Sequence, residues 1–305
     1  MRAMLCVPMG CVITWTAILA TALAIFLAWP APLMSRELRD WRDSGHFFKY
    51  RDYKIFYKDQ RSSSDETRFS DEVLICLHGF PTFSMDWLKI WDKFLENKYN
   101  RVIALDFLGF GFSDKPVRVF SYNERQQNER LPAGILIKSL CLTNGGIFPE
   151  TNFPKFTQKA LMLPYVGPTI GYVMNYFTFR RELGHVFGAT TQPTDAEFAD
   201  FWAAVRYKDQ NLVIHRLIGY IPERRANRDR WVEAIQKTSI PLLMIYGPAD
   251  IINPPPFADY YRRTVANSAL VELESHVAHY PQWEDPHAFA DAYFRFLDGL
   301  PTATT

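Results

Sequence analysis

Five short apolar runs constrain the fold more than any other feature: Val73–Leu77, Val102–Asp106, Ile135–Leu142, Pro241–Tyr246 and Ala269–Leu273. Each is too short for a helix that could bury a core by itself. None alternates cleanly between apolar and polar residues, as a strand with one wet face would. Such runs suit strands covered on both faces. Helical patterns separate them. Over Met85–Asn97, the residues Trp87, Ile90, Trp91, Phe94 and Leu95 fall on one stripe, and Ser84 is placed to cap the helix. A last helix is predicted over His287–Leu297. Strands alternating with helices predict an α/β fold with a mostly parallel sheet. Phe47–Tyr50 and Lys54–Tyr57, joined around Arg51-Asp52, read as an opening hairpin. A chain of 305 residues is long enough for one such domain with an insertion.

Residues 150–235 break the rhythm. They hold helical patterns rich in Phe, Tyr and Trp, clearest at Thr194–Tyr207 and Asn211–Tyr220, and no good strand. A helical excursion between two sheet strands predicts a cap over an active site. The expected division is therefore an anchor over 1–35, core over 36–149, cap over 150–235 and core again over 236–305. The anchor is read from Met4–Trp29, which is almost wholly apolar and uncharged. A bilayer core needs ~20 such residues, and the stretch is too long for the ~7–15 residue apolar region of a signal peptide. Arg36, Arg39 and Arg42 follow it, against Arg2 before it, which places the C-terminal domain in the cytosol.

Net charge is +1, which gives no global attraction to nucleic acid. Arg224, Arg225, Arg228 and Arg230 are interrupted by Glu223 and Asp229 and read as a solvated helix face. Cys6, Cys11, Cys76 and Cys141 form neither a disulfide framework nor a zinc spacing.

The chemistry-bearing residues cluster at strand ends. His78-Gly79-Phe80-Pro81 follows the first buried strand. Gly79 lets the chain turn, and Phe80 would offer its backbone N–H to a developing negative charge. Asp106-Phe107-Leu108-Gly109-Phe110-Gly111 closes the next strand. A dinucleotide fingerprint would need a third glycine at Asp114, so no cofactor is expected. Asp250, in Gly247-Pro248-Ala249-Asp250, can accept a hydrogen bond from an imidazole and hold its tautomer. His279 lies beyond the following strand, with Pro281, Glu284 and Pro286 after it; His276 is its neighbour and rival. A metal site at His276 and His279 has no third ligand nearby, and no metal is expected.

These motifs resemble the α/β-hydrolase superfamily, in the branch near epoxide hydrolases and haloalkane dehalogenases. The residues that carry the resemblance are Ala104–Pro116, Leu140–Glu150, Tyr246-Gly247-Pro248 and His279-Tyr280-Pro281-Gln282. Ala278 departs from it, since relatives often have glycine before the histidine. The resemblance implies an α/β-hydrolase fold with a helical cap, a hydrolase of the endoplasmic-reticulum membrane, and a small-molecule or lipid-like substrate. It also implies a nucleophile elbow one helix and one strand after the Ser-Asp-Lys-Pro loop. Here 18 residues, 117–134, separate Pro116 from the next strand run. One crossover alone takes ~10–12 residues, so a helix, a strand, an elbow and a second helix do not fit. Ser63-Ser64-Asp65-Glu66-Thr67 has small neighbours but lies in a polar loop, and in Ser139-Leu140-Cys141-Leu142-Thr143 no glycine relieves the turn. One central strand and its flanking helices are expected to be missing. The expectation is a single-pass membrane hydrolase relative, catalytically impaired for want of a nucleophile. The alternatives are a non-catalytic membrane-tethered module that binds lipid or a partner, and a hydrolase that uses an unrecognised nucleophile such as Cys141.

Overall fold

The computed structural model describes residues 9–63, 69–116 and 135–300. The short 117–134 connection, part of the Ser63–Thr67 loop, the first eight residues and the 301–305 tail lie outside the described residues.

The anchor expected over Met4–Trp29 is not supported. Its helix, α1, spans Met9–Leu27, 19 residues. Among the described residues no helix is long and apolar enough to cross a membrane. The end of α1 is tied to the protein: the Asn175 side-chain amide donates to the Phe26 carbonyl at 3.1 Å, and Phe26 and Trp29 pack on the Phe177 ring. The single-pass endoplasmic-reticulum placement and the cytosolic orientation fall with the anchor.

After α2 (Arg36–Asp43) come the hairpin strands β1 (His46–Tyr50) and β2 (Tyr53–Arg61), then β3 (Phe69–Leu77), α3 (Leu88–Asn97) and β4 (Tyr99–Leu105). Strand β5 is Leu140–Thr143. Seven helices follow: α4 (Phe156–Leu161), α5 (Val166–Val173), α6 (Tyr176–Gly184), α7 (Asp195–Arg206), α8 (Gln210–Leu217), α9 (Tyr220–Ala226) and α10 (Arg228–Lys237). The chain ends in β6 (Leu242–Tyr246), α11 (Pro256–Thr264), β7 (Ala269–Glu272), α12 (Pro281–Glu284) and α13 (Pro286–Asp298).

The strands form two sheets rather than one. One has the order β1-β2-β4-β3 and the other β5-β6-β7. β3–β4, β5–β6 and β6–β7 are parallel, while β1–β2 and β2–β4 are antiparallel. Among the described residues no strand pairs with the outer side of β3 or of β5. The two sheets nevertheless share one apolar cluster, which holds Cys76, Val102, Ala104, Leu243 and Ile245 with Cys141 packed on it.

Strand β6 shows why an unbroken apolar run was needed. Leu243 and Ile245 enter the shared cluster, while Leu242, Met244 and Tyr246 enter a second cluster with Phe148, Phe257 and Tyr261. Strand β3 departs from the expectation of burial on both faces. Cys76 is buried, but Val73, Ile75 and Leu77 are 44%, 58% and 50% exposed. That face is about half exposed. The strand expected over Ile135–Leu142 begins only at Leu140. Ile135, Leu136 and Ile137 are exposed.

The expected Ser84 cap is also displaced. Ser84–Trp87 is a 3-10 turn, and α3 begins at Leu88. The Asp106 carboxylate, at the end of β4, accepts the Ser84 backbone N–H at 2.8 Å, while the Ser84 hydroxyl accepts from the Trp41 indole at 3.1 Å. A non-local carboxylate thus takes the capping role.

Candidate active site

The loops that leave the strand ends bring Asp250 and His279 together. Asp250 Oδ2 accepts from His279 Nδ1 at 2.8 Å. The same oxygen accepts from the side-chain amides of Asn144 at 3.1 Å and Asn253 at 3.0 Å, and Oδ1 accepts the Ile252 N–H at 2.7 Å. Asp250 is 1% exposed. Burial pushes its carboxyl up, but the His279 charge and these hydrogen bonds outweigh it and hold the carboxyl below its ordinary value. Burial pushes the His279 imidazole down, and the Asp250 carboxylate outweighs it, so its value is raised. With Nδ1 held, Nε2 is the free nitrogen, and no described residue hydrogen-bonds to it.

Two residues hold this pair in place: Asn144, to which the sequence reading gave no role, and Glu284, which it used only to mark the position of the histidine loop. Asn144, at a left-handed φ of 37° after β5, binds the two loops at once. Its amide donates to Ala278 O at 2.8 Å and Gly247 O at 3.2 Å, and its Oδ1 accepts the Gly247 N–H at 2.7 Å. Glu284 grips the histidine loop from the other side. Its carboxylate accepts the N–H groups of Ala278 and Tyr280, both at 2.9 Å, and of Gly188 at 2.8 Å. The signals were present in Asn144-Gly145-Gly146 after a strand and in the Glu five residues after His279. Neither has a meaning until the loops are in space. Gly247 is required by contact: a Cβ there would lie 2.2 Å from Ala278 O.

The turn after β3 sits against the histidine loop. The Tyr280 hydroxyl lies 3.3 Å from the Thr82 hydroxyl and donates to Phe80 O at 3.5 Å. Among the described residues, none accepts the Phe80 N–H. His78 is a tie rather than a proton carrier. Its Nε2 accepts the Phe107 N–H at 3.0 Å and its Nδ1 donates to Gly79 O at 2.7 Å. Burial pulls its pKa down to about 4, so the ring is neutral. Asp86, beneath the turn, accepts from the Thr82 hydroxyl at 2.6 Å, and burial pushes it up to about 8. The two glycines of the next loop, Gly109 (φ 97°) and Gly111 (φ 48°), form a turn around Asp106, which accepts the Phe112 N–H at 2.6 Å.

His276 does not join the pair. Cys141 lies in β5 and burial pushes its thiol up to about 12, so it holds no thiolate at neutral pH. Arg224 leaves the solvated cluster in which it was placed. It is 6% exposed, and its guanidinium donates to Gly146 O and, at 2.5 Å, to Asn152 Oδ1. Arg225, Arg228 and Arg230 line a surface concavity of about 680 Å³ with Glu150, away from the Asp250–His279 pair.

No family model matches the chain. The mesoderm-specific transcript protein of Mus musculus is 43% identical over 317 residues, covering 91% of this chain and 93% of that protein. The Mycobacterium tuberculosis protein LipZ is 27% identical over 300 residues, covering 87% of this chain and 99% of LipZ. Among solved structures, the haloalkane dehalogenase DbeA from Bradyrhizobium elkani superposes with a TM-score of 0.65 at 19% identity, covering 84% of this chain and 98% of that one. The first alignment is longer than the part of this chain it uses: 91% of 305 residues is about 278, so about 40 of its 317 positions have no residue here. The LipZ alignment leaves about 35 positions unmatched by the same reckoning.

Proposed function

This chain belongs to the mesoderm-specific transcript family of α/β-hydrolases, and from that premise we propose that it carries the acid–histidine half of a hydrolytic site without the nucleophile half. The observation behind this reading is the Asp250–His279 pair at 2.8 Å, with Nε2 of the imidazole left open. In that geometry His279 is the general base and acid, Asp250 holds its tautomer and offsets its charge, and the Phe80 N–H faces the developing oxyanion. The helices over 156–237 form the cap. Phe80, Phe110 and Tyr220 make an aromatic wall above the turn, with ring centroids 6.4 Å and 5.9 Å from Phe80. Such a wall suits a small, largely apolar ester, epoxide or related molecule. The nucleophile, serine for acyl transfer or aspartate for alkyl transfer, would belong to the positions unmatched in the alignments. We place those positions between Pro116 and Ile135. The chain as it stands is then catalytically impaired. The same aromatic wall supports a second reading, in which the cleft holds a small apolar or lipid-like molecule without turning it over.

The test compares this chain with a form that carries the unmatched residues of the mouse relative inserted after Pro116. Both are assayed with p-nitrophenyl butyrate, an aryl epoxide and a fluorophosphonate probe. The unmodified chain is expected to show neither labelling nor turnover above background. The lengthened form is expected to turn over one substrate class, and His279→Gln should lower that rate by ~10²-fold or more. Turnover by the unmodified chain that His279→Gln abolishes would refute the proposal.

A further inference from the structure

Arg224 carries a buried charge with no carboxylate beside it. It sits on cap helix α9 and is 6% exposed. Among the described residues no acid forms an ion pair with it, and its Nε–H is buried without an acceptor. A guanidinium taken out of water needs acceptors that answer its charge. Those it has are Gly146 O and, at 2.5 Å, Asn152 Oδ1, while the Tyr220 ring lies 5.6 Å away. From Asn152 the hydrogen bonds continue into the site. The Asn152 amide donates to Asn253 Oδ1 at 3.1 Å, and the Asn253 amide donates to Asp250 Oδ2 at 3.0 Å. That oxygen is the one that accepts from His279 Nδ1 at 2.8 Å. Asn152 and Asn253 are both buried. The chain thus joins the cap to the loops after β5 and β6.

We propose that Arg224 is a positioning residue for the acid–histidine pair, acting from the cap through Asn152 and Asn253 on Asp250. The inference deepens the hydrolytic reading above and rests on it. Direction carries the argument. Arginine can only donate, so the Asn152 side-chain oxygen faces it and the Asn152 nitrogen faces away. That nitrogen also donates to Ile252 O at 3.5 Å, which can only accept. The Asn253 oxygen then faces Asn152, which turns the Asn253 nitrogen to Asp250 Oδ2 and, at 2.9 Å, to Asn144 O. An ionised carboxylate can only accept, so the chain keeps one polarity from the guanidinium to Asp250. Hydrogen bonds aligned head to tail polarise one another, and a charged donor at the head strengthens each link. The Asn253 bond is among the contacts that hold the Asp250 carboxyl below its ordinary value. The entry of the guanidinium is also fixed, since a Cβ on Gly146 would lie 2.2 Å from Arg224 Nη1.

The readout is the titration of the His279 imidazole, followed by NMR on the full chain. It needs no turnover, so it tests the proposal whether or not the chain hydrolyses a substrate. Besides Asp250, the charged groups that face His279 are Glu284 and Asp86, and every variant leaves them in place. Arg224→Met removes the head of the chain. Asn152→Leu breaks the chain and keeps the guanidinium. Either change weakens the Asn253 donation and leaves Asp250 a stronger acceptor, which should raise the His279 pKa by about 0.3 or more. The double variant should exceed the larger single shift by no more than about 0.1, because both changes cut one chain. Two controls separate this from a loss of charge or of stability. Arg225→Met removes an exposed charge one residue along α9, and Val232→Ala opens a cavity under helix α10. Each should leave the His279 pKa within about 0.1 of the unmodified chain. Where Arg224→Met does not fold by circular dichroism, Asn152→Leu decides alone. An unmoved or lowered His279 pKa in a folded Arg224→Met or Asn152→Leu chain would overturn the proposal. So would additive shifts in the double variant, or an equal shift in either control.

Discussion

Removal of Asp250 should cost the fold more than removal of His279, although they are partners in one hydrogen bond. Asp250→Ala leaves the Ile252 N–H and the His279 Nδ1–H without an acceptor. The Asn144 amide keeps Ala278 O at 2.8 Å, and the Asn253 amide keeps Asn144 O at 2.9 Å. Two orphaned donors at ~1–3 kcal/mol each, in a site where the lost partner was a buried charge, give a loss of ~3–5 kcal/mol. His279→Ala leaves Asp250 with three donors, and the imidazole is 22% exposed, so its single charge-assisted bond is worth less. A loss of ~1–2 kcal/mol follows. The double variant should be no worse than Asp250→Ala by more than a few tenths, because both changes remove the same pair. Urea unfolding followed by tryptophan fluorescence at constant pH measures all three. Asp250 sits below its ordinary value, so its stabilisation is present above ~4 and lost as pH falls through the folded value. His279 sits above its ordinary value, so its contribution is full below ~6.5 and fades as pH rises through the folded value. The His279→Ala penalty should therefore be greatest between ~pH 4 and 6.5. A His279→Ala loss equal to or larger than that of Asp250→Ala, or strict additivity in the double variant, would refute the reasoning.

Glu284→Ala removes the acceptor of the Ala278 and Tyr280 N–H groups in the histidine loop and of the Gly188 N–H that ties the loop to the cap. It should cost ~2–4 kcal/mol in urea unfolding, less than the bonds would sum to separately, and broaden the His279 ring signals in NMR. Gly247→Ala drives a Cβ against Ala278 O, and a loss of ~1–3 kcal/mol is expected in thermal or urea unfolding, with the His279 ring proton shifts moving toward those of an unpaired histidine.

Much of the fold could be read because its signals are local. Apolar runs mark β4, β6 and β7, and a turn glycine after β3 with an acid and a histidine after later strands marks the site. The misses are non-local. Ser84 has the side chain of a cap, but the Asp106 carboxylate arrives from another strand and takes the N–H. Arg224 sits among alternating charges that read as a wet face, yet Gly146 and Asn152 close over it. Asn144 looks like an ordinary loop residue and Glu284 only marks a spacing, because their roles are to join segments more than a hundred residues apart and to grip a loop's backbone. The apolar stretch at the start gives a helix, as its composition demands. Its ties to Phe177 and Asn175 are non-local and could not be read from its hydropathy.

Among the described residues no strand joins the two sheets, and a helical layer binds both. Helix α13 supplies Phe289, Ala292, Tyr293 and Leu297 to the cluster that also holds Val102 of β4 and Ile245 of β6. The Tyr293 hydroxyl meets the Tyr99 hydroxyl of β4 at 2.8 Å, and Asp298 accepts from Lys98 at 2.7 Å. At the strand ends, Asn144 ties the loops after β5 and β6 to the loop before α12, and Glu284 ties that loop to Gly188. That loop reaches the turn after β3 through Tyr280 and Thr82. Apolar burial on one face and polar ties at the strand ends are therefore continuous across the break. The other face of β3 is not continuous, since Val73, Ile75 and Leu77 are about half exposed. Burying three such side chains would stabilise the fold by several kcal/mol, at ~1.5–3 kcal/mol for each one fully covered. That is a large part of the ~5–15 kcal/mol that separates folded from unfolded domains.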